Sequence, residues 1–174
     1  MASSGNLKTL FLICDISGSM SENGKDTLMR GVARTVEQFV RLGYGASEIR
    51  LVLWNNVAET VEWNPDGELP DRLLNCSGSA NAAALCDLLD SASVPDRAVL
   101  LLTDGWWSRD DALALKRWKR NQQSDVLRII KIGSDSNPLL KGDNVFLPDD
   151  IFSALDGWLS HAGVTAENEE EDEW

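Results

Sequence analysis

The sequence predicts an α/β fold: an open, mostly parallel, six-stranded sheet with one antiparallel edge strand and helices on both faces. Three observations carry this. Short apolar runs alternate along the chain with segments of helical spacing, the order that builds a parallel sheet by crossovers. One run, Arg97–Thr103, is apolar nearly throughout, as a strand covered on both faces must be. Only one pair of runs, 49–54 and 57–63, is joined by a tight turn, so only one antiparallel partner is expected.

Taken in order, residues 7–14 form the first apolar strand. Leu28, Val32, Val36, Phe39 and Val40 recur at helical spacing over 25–42, and Gly43 and Gly45 end that helix. The next strand is 49–54. Asn55-Asn56 marks the turn into 57–63, whose apolar and polar residues alternate as at a sheet edge. Asn64-Pro65-Asp66-Gly67 is a turn signal. A loop runs to Ser77-Gly78-Ser79-Ala80-Asn81, and residues 82–92 read as helix. After the 97–103 strand comes an amphipathic helix over 109–121 with Leu113, Leu115 and Trp118 on its apolar side. A strand over 126–132, a loop over 133–138, a short strand at 145–147 and a helix over 149–161 complete the series. No internal repeat is present.

At 174 residues the chain fits one domain with a sizeable core. The expected organisation is a short extension over 1–6, a domain over 7–162 and an acidic tail over 163–174. The formal net charge is −12, and six of those charges come from residues 167–174. The tail is too acidic to pack, and disorder is expected there. An acidic body argues against a nucleic-acid surface. No run of about 18 apolar residues could span a membrane. Residues 1–8 lack the charged-then-apolar pattern of a signal peptide, and the expected compartment is the cytoplasm. Cys14, Cys76 and Cys86 form an odd, unclustered set, read as reduced thiols without a neighbouring base.

The chemistry concentrates where strands end. Asp15-Ile16-Ser17-Gly18-Ser19-Met20 follows the first strand and presents one carboxylate and two hydroxyls on a tight loop. Asp104-Gly105 follows the central apolar strand. In open α/β sheets ligands bind beyond the carboxyl ends of the strands, so both aspartates are expected on one rim. Carboxylate and hydroxyl oxygens are hard donors, the type that Mg²⁺ or Mn²⁺ prefers.

This set of residues resembles the von Willebrand factor A (vWA) domain with its metal-ion-dependent adhesion site. The family pattern is Asp-x-Ser-x-Ser after the first strand, a Thr in a Gly-rich loop, and Asp-Gly after a later strand. Asp15, Ser17 and Ser19 match the first part, and Leu102-Thr103-Asp104-Gly105 the last. The middle part departs: Ser77-Gly78-Ser79 stands for Gly-Gly-Thr, with Ser79 keeping the hydroxyl and the following amide displaced to Asn81. The resemblance covers about residues 6–162. It implies a three-layer, Rossmann-like vWA fold. It implies a Mg²⁺ or Mn²⁺ site of Ser17, Ser19 and Ser79 with Asp15 and Asp104 behind them. It further implies that the two carboxylates balance the ion, which accepts a last ligand from a partner's Glu or Asp. The protein is then a non-catalytic interaction module. Short intracellular, mostly bacterial members resemble adaptors of MoxR-type AAA+ ATPases or members of tellurite-resistance, stress and antiphage clusters.

Two other readings stay open. A Mg²⁺-dependent phosphohydrolase of the haloacid dehalogenase type also begins with an Asp after the first strand. It needs a second Asp two residues on, where this chain has Ser17, and its late acids would fall to Asp149-Asp150. A regulatory subunit could use the acidic tail as a cleavage or docking tag; separately, a tail carboxylate could occupy a metal site, in this molecule or a neighbour, as a placeholder ligand. The single histidine, His161, offers no Ser-His-Asp arrangement, and no Gly-x-x-x-x-Gly-Lys loop exists. Trp106-Trp107 follows Asp104-Gly105 on the same rim, and an exposed Trp there would anchor a partner. Lys116-Arg117-Trp118-Lys119-Arg120 reads as a solvated helix face.

Overall fold

The computed structural model describes residues 8–44, 48–64 and 66–159. Its centre is β1 (Thr9–Asp15), buried at every position. Successive side chains of a strand point to opposite faces, and β1 divides accordingly. Leu10, Leu12 and Cys14 enter one apolar cluster, while Phe11 and Ile13 enter another. β2 (Glu48–Trp54) and β4 (Arg97–Thr103) pair with β1 in parallel on either side and divide the same way. Two faces of a sheet need two sets of helices. The first cluster is closed by α1 (Lys25–Phe39) and α4 (Ile151–Leu155). The second is closed by α2 (Ala82–Ser91) and α3 (Arg109–Arg120).

The sheet has six strands in the order β3-β2-β1-β4-β5-β6, with β3 (Ala58–Val61), β5 (Leu127–Lys131) and β6 (Val145–Phe146) completing it. Only β2 and β3 run antiparallel. From β1 the chain first builds outward through β2 and β3, then crosses back to β4 on the other side. The carboxyl ends of β1 and β4 therefore flank the point where strand order reverses, the position where such sheets bind ligands.

Several elements differ in extent from the sequence expectation. Helix α1 stops at Phe39 and continues as a π-helical turn over Val40–Tyr44, where β-branched Val40 and Gly43 are weak helix formers. Gly45 lies outside the described residues. The last helix is shorter than 149–161: a 3-10 turn over Pro148–Asp150 leads into five α-helical residues, then Asp156 turns extended and Gly157 takes a left-handed φ of 73°, which together break the run. The edge strand spans four residues rather than seven, because only Ala58–Val61 find partners on β2. The expected extension over 1–6, the tail over 163–174 and His161 lie outside the described residues. Among the described residues no helix is long and apolar enough to cross a membrane.

The alternation in β1 makes a quantitative expectation. Leu12 is 0% exposed, whereas Leu139 is 81% exposed. Leu12→Ala should cost about 2–5 kcal/mol through lost transfer energy and the cavity left behind. Leu139→Ala should stay within about 0.5 kcal/mol. Urea unfolding of the two variants checks this, and equal midpoints would contradict the central placement of β1.

Candidate functional site

Asp15 ends β1 with 1% of its surface exposed, and Asp104 follows β4 with none. Neighbouring parallel strands bring the two aspartates to the same rim. Asp15 is held from two sides. Its Oδ1 accepts the Ser17 backbone N–H at 2.9 Å, and its Oδ2 accepts the Thr103 hydroxyl at 2.7 Å. Burial raises the Asp15 pKa above the ordinary carboxylate range. Contacts from Ser17 and Thr103 pull it back down, and the charge of Asp104 pushes it up again. Thr103 Oγ1 also accepts the Gly105 N–H at 3.0 Å, so one hydroxyl links both strand ends.

Asp104 has a partner that the sequence did not announce. Its Oδ1 accepts the Trp106 N–H at 3.1 Å, and its Oδ2 lies 2.9 Å from Lys25 Nζ. Lys25 opens helix α1, and its side chain is 1% exposed. The ammonium also reaches Asp135 Oδ2 at 3.2 Å, an oxygen that Asn23 Nδ2 holds at 2.9 Å. Burial lowers the Lys25 pKa, but Asp104 and then Asp135 more than offset this, and the net shift is upward. The sequence-level charge balance of two free carboxylates against one divalent ion is thus altered: one carboxylate already faces a cation. A signal for this existed, because an apolar helix face does not call for a Lys in its first turn. Nothing in the sequence, however, tied Lys25 to Asp104, 79 positions on.

The loops carrying the hydroxyls are tied to each other. Gly18 N–H donates to Gly78 C=O at 2.8 Å, and Ser77 N–H donates to Ile16 C=O at 2.8 Å. The hairpin turn between β2 and β3 then fixes the second loop. Asn55 Nδ2 donates to Ser77 C=O, Asn56 Oδ1 accepts the Ser79 N–H, and Asn81 Nδ2 donates to Asn56 C=O. Asn81 itself caps α2 through the Ala84 N–H, which is the use to which this displaced amide is put.

Ser17, Ser19 and Ser79 line a cavity of about 210 Å³ together with Trp106, Trp107 and Asp111. The three serines singled out by sequence therefore line one cleft, whereas Asp15 and Asp104 sit at the neighbouring strand ends and do not line it. Ser79 is exposed. Ser17 Oγ and Ser19 Oγ are buried and have no partner at normal hydrogen-bond geometry, although the Ser17 hydroxyl still acts on the Asp15 carboxylate. A buried hydroxyl without a partner is costly, and two of them at one cleft are the unmet demand of this site. Among the described residues no three His, Cys, Asp or Glu side chains cluster as a metal site. The donor set at the rim is instead hydroxyl with carboxylate.

The two tryptophans separate. Trp107 turns inward and packs against Trp54 with ring centroids 5.8 Å apart. Trp106 stays 49% exposed and donates its indole N–H to the Asp135 C=O. Asp149 and Asp150 form the 3-10 turn before α4. In the basic stretch of α3, Trp118 is buried while Lys116, Arg117 and Arg120 face solvent.

No protein-family model matches the chain, and no curated protein matches it. Solved structures do. A manganese-loaded Plasmodium vivax TRAP protein aligns with a TM-score of 0.58 at 15% identity, covering 90% of this chain and 74% of that one. An aerotolerance-related membrane protein from Bacteroides fragilis aligns with a TM-score of 0.48 at 18% identity, covering 72% and 68%. At such identities likeness shows the fold alone. That fold is the three-layer, Rossmann-like vWA fold, with its mostly parallel six-stranded sheet and antiparallel edge strand.

The geometry of the second loop is testable. A Cβ on Gly78 would lie 1.9 Å from Asn56 Oδ1, and φ there is 77°. Gly78→Ala should cost about 1–3 kcal/mol, because strain and a displaced Asn56 act together. A thermal or urea melt unchanged from wild type would refute the Asn56 tether. The thiols give a second check. Cys76 and Cys86 are pushed up to about 11, first by burial and then by nearby aspartates. A raised thiol pKa means less thiolate at neutral pH. Iodoacetamide should therefore label both far more slowly than free cysteine, with the rate climbing towards pH of about 11. Fast labelling near neutrality would contradict these environments.

Proposed function

We propose that this rim holds a divalent cation, Mg²⁺ or Mn²⁺, and that the cation receives a Glu or Asp from a partner protein. The observation that carries the reading is the pair of buried, unpartnered hydroxyls, Ser17 Oγ and Ser19 Oγ, beside an open cleft. Hydroxyl and carboxylate oxygens suit a hard ion. Ser17, Ser19 and Ser79 would hold it, with Asp15 and Asp104 behind. The bound ion would supply an electrophilic point for an outside carboxylate. Neutral donors at the opening leave that electrophilicity largely unspent. The manganese of the Plasmodium vivax structure of the same fold makes Mn²⁺ the natural probe.

In this reading the protein is a non-catalytic interaction module. The two-Asp arrangement of a phosphohydrolase has no counterpart here, since Ser17 stands where its general acid would be. Trp106, half exposed at the edge of the cleft, supplies the apolar anchor beside the ion. The partner is an acidic surface within a larger assembly such as one built on a MoxR-type AAA+ ATPase. The protein serves that assembly as an adaptor.

The test uses a property of orphaned hydroxyls. Removing a buried hydroxyl that has no partner at normal hydrogen-bond geometry should cost little. The double variant Ser17→Ala/Ser19→Ala should melt within a few degrees of wild type in EDTA yet lose saturable Mn²⁺ binding by calorimetry. It should also fail to retain, in Mg²⁺, the partner that wild type pulls from host lysate and releases in EDTA. Equal Mn²⁺ binding by the variant, or a partner held equally in EDTA, would overturn the reading.

A further inference from the structure

Lys25 is an unusual residue for its position. It is the first residue of α1, where the aligned peptide dipoles disfavour a cation. Its long side chain is nonetheless buried, at 1% exposure. Room for it has been made: a Cβ on Gly133 would lie 2.7 Å from Lys25 Cδ, and Gly133 has a left-handed φ of 94°. The ammonium is delivered between two carboxylates, 2.9 Å from Asp104 and 3.2 Å from Asp135. These partners are unequal. Asp104 is fully buried, whereas the Asp135 side chain is 38% exposed. Leaving Asp135 costs little, because water replaces the ammonium. Leaving Asp104 strands a buried charge, unless another cation takes over.

We propose that Lys25 is a tethered counter-ion that holds Asp104 when no metal is bound, opposes a divalent ion at the neighbouring cleft, and shifts its pairing to Asp135 as the ion enters. The inference rests on the metal reading above and concerns what sets the ion's affinity. A fixed positive charge beside Asp104 repels an incoming dication and shares the carboxylate it would use. The site therefore takes the bare ion weakly. A partner's carboxylate adds the negative charge that Lys25 cancels, so ion and partner bind together better than either alone. Asp135, held by Asn23, exposed to water and already 3.2 Å from the ammonium, is the partner that remains when Asp104 is given up.

The experiment compares Mn²⁺ binding by calorimetry in wild type, Lys25→Met and Lys25→Arg. Lys25→Met keeps the length of the side chain and removes the charge. It should bind Mn²⁺ about tenfold more tightly than wild type, the effect of deleting one close like charge. Lys25→Arg should bind no more tightly than wild type. Melting adds a readout that packing alone would not give. Lys25→Met should melt lower than wild type in EDTA and recover more on adding Mn²⁺. Unchanged or weaker binding by folded Lys25→Met, with wild type binding, overturns this inference and leaves the metal reading standing. Absence of binding in both overturns the two together. Should Lys25→Met not fold without metal, wild type labelled with ¹⁵N-lysine answers instead. Its Lys25 Nζ resonance, assigned by its loss in Lys25→Arg, should move in step with Mg²⁺ saturation. A resonance that stays fixed at saturation overturns the inference.

Discussion

Two carboxylates, Asp15 and Asp104, end neighbouring central strands with almost no access to water, and the rest of the rim answers that constraint. A buried charge survives only when hydrogen-bonded or paired. Asp15 is met by hydroxyl and amide donors, a backbone N–H and the Thr103 hydroxyl. Asp104 is met by a backbone N–H and the Lys25 ammonium. The two solutions differ in consequence. Dipoles can hold one carboxylate and leave its field available at the cleft, whereas an ammonium cancels most of the other. Under the proposed metal reading, the rim would attract a cation less than two unpaired carboxylates would.

Rigidity follows from the same placement. Central strands buried on both faces fix the carboxylates, while the serines sit on loops that would wander if left alone. They are secured by backbone bonds from Gly18 to Gly78 and from Ser77 to Ile16, and by the amide side chains of Asn55 and Asn56. The edge hairpin thereby acquires a purpose beyond sheet formation. Its turn reaches over the carboxyl ends of the strands and determines where Ser79 stands. Gly78 is part of this device, since any side chain there would occupy the position of the Asn56 amide oxygen.

The sheet was legible because period-two burial and long apolar runs are local signals. β4 (Arg97–Thr103) is as the sequence predicts it, and every other strand and helix lies within a few residues of its expected place except the last helix. That helix misled because Ile151, Leu155, Trp158 and Leu159 keep helical spacing across a break at Gly157, whose left-handed φ the spacing does not reveal. At the rim, the neighbouring placement of Asp15 and Asp104 could be expected because topology brings strand ends together. Lys25, Asp135, Asn23 and Asn56 could not. Each acts through a long-range contact between loops or helix termini, and no periodicity encodes that. Thr103 was within the quoted motif, yet its bond to Asp15 depends on side-chain direction at a strand end.

The two unpartnered hydroxyls and the buried lysine express one trade-off. A sequence selected for stability alone would replace Ser17 and Ser19 with alanine and would not carry a lysine stem through the protein to a buried aspartate. The two hydroxyls line the cleft, and the lysine meets Asp104 at the adjoining strand end. In the proposed reading the hydroxyls would accept a cation, and the ammonium would hold the place of one. On that reading, a rim arranged in this way would take metal best when a further negative charge comes with it. Such coincidence detection suits an interaction module. A site saturated by the ion alone would present the same charge at all times. A site balanced by Lys25, as proposed, would reserve full occupancy for the moment when an acidic surface completes it.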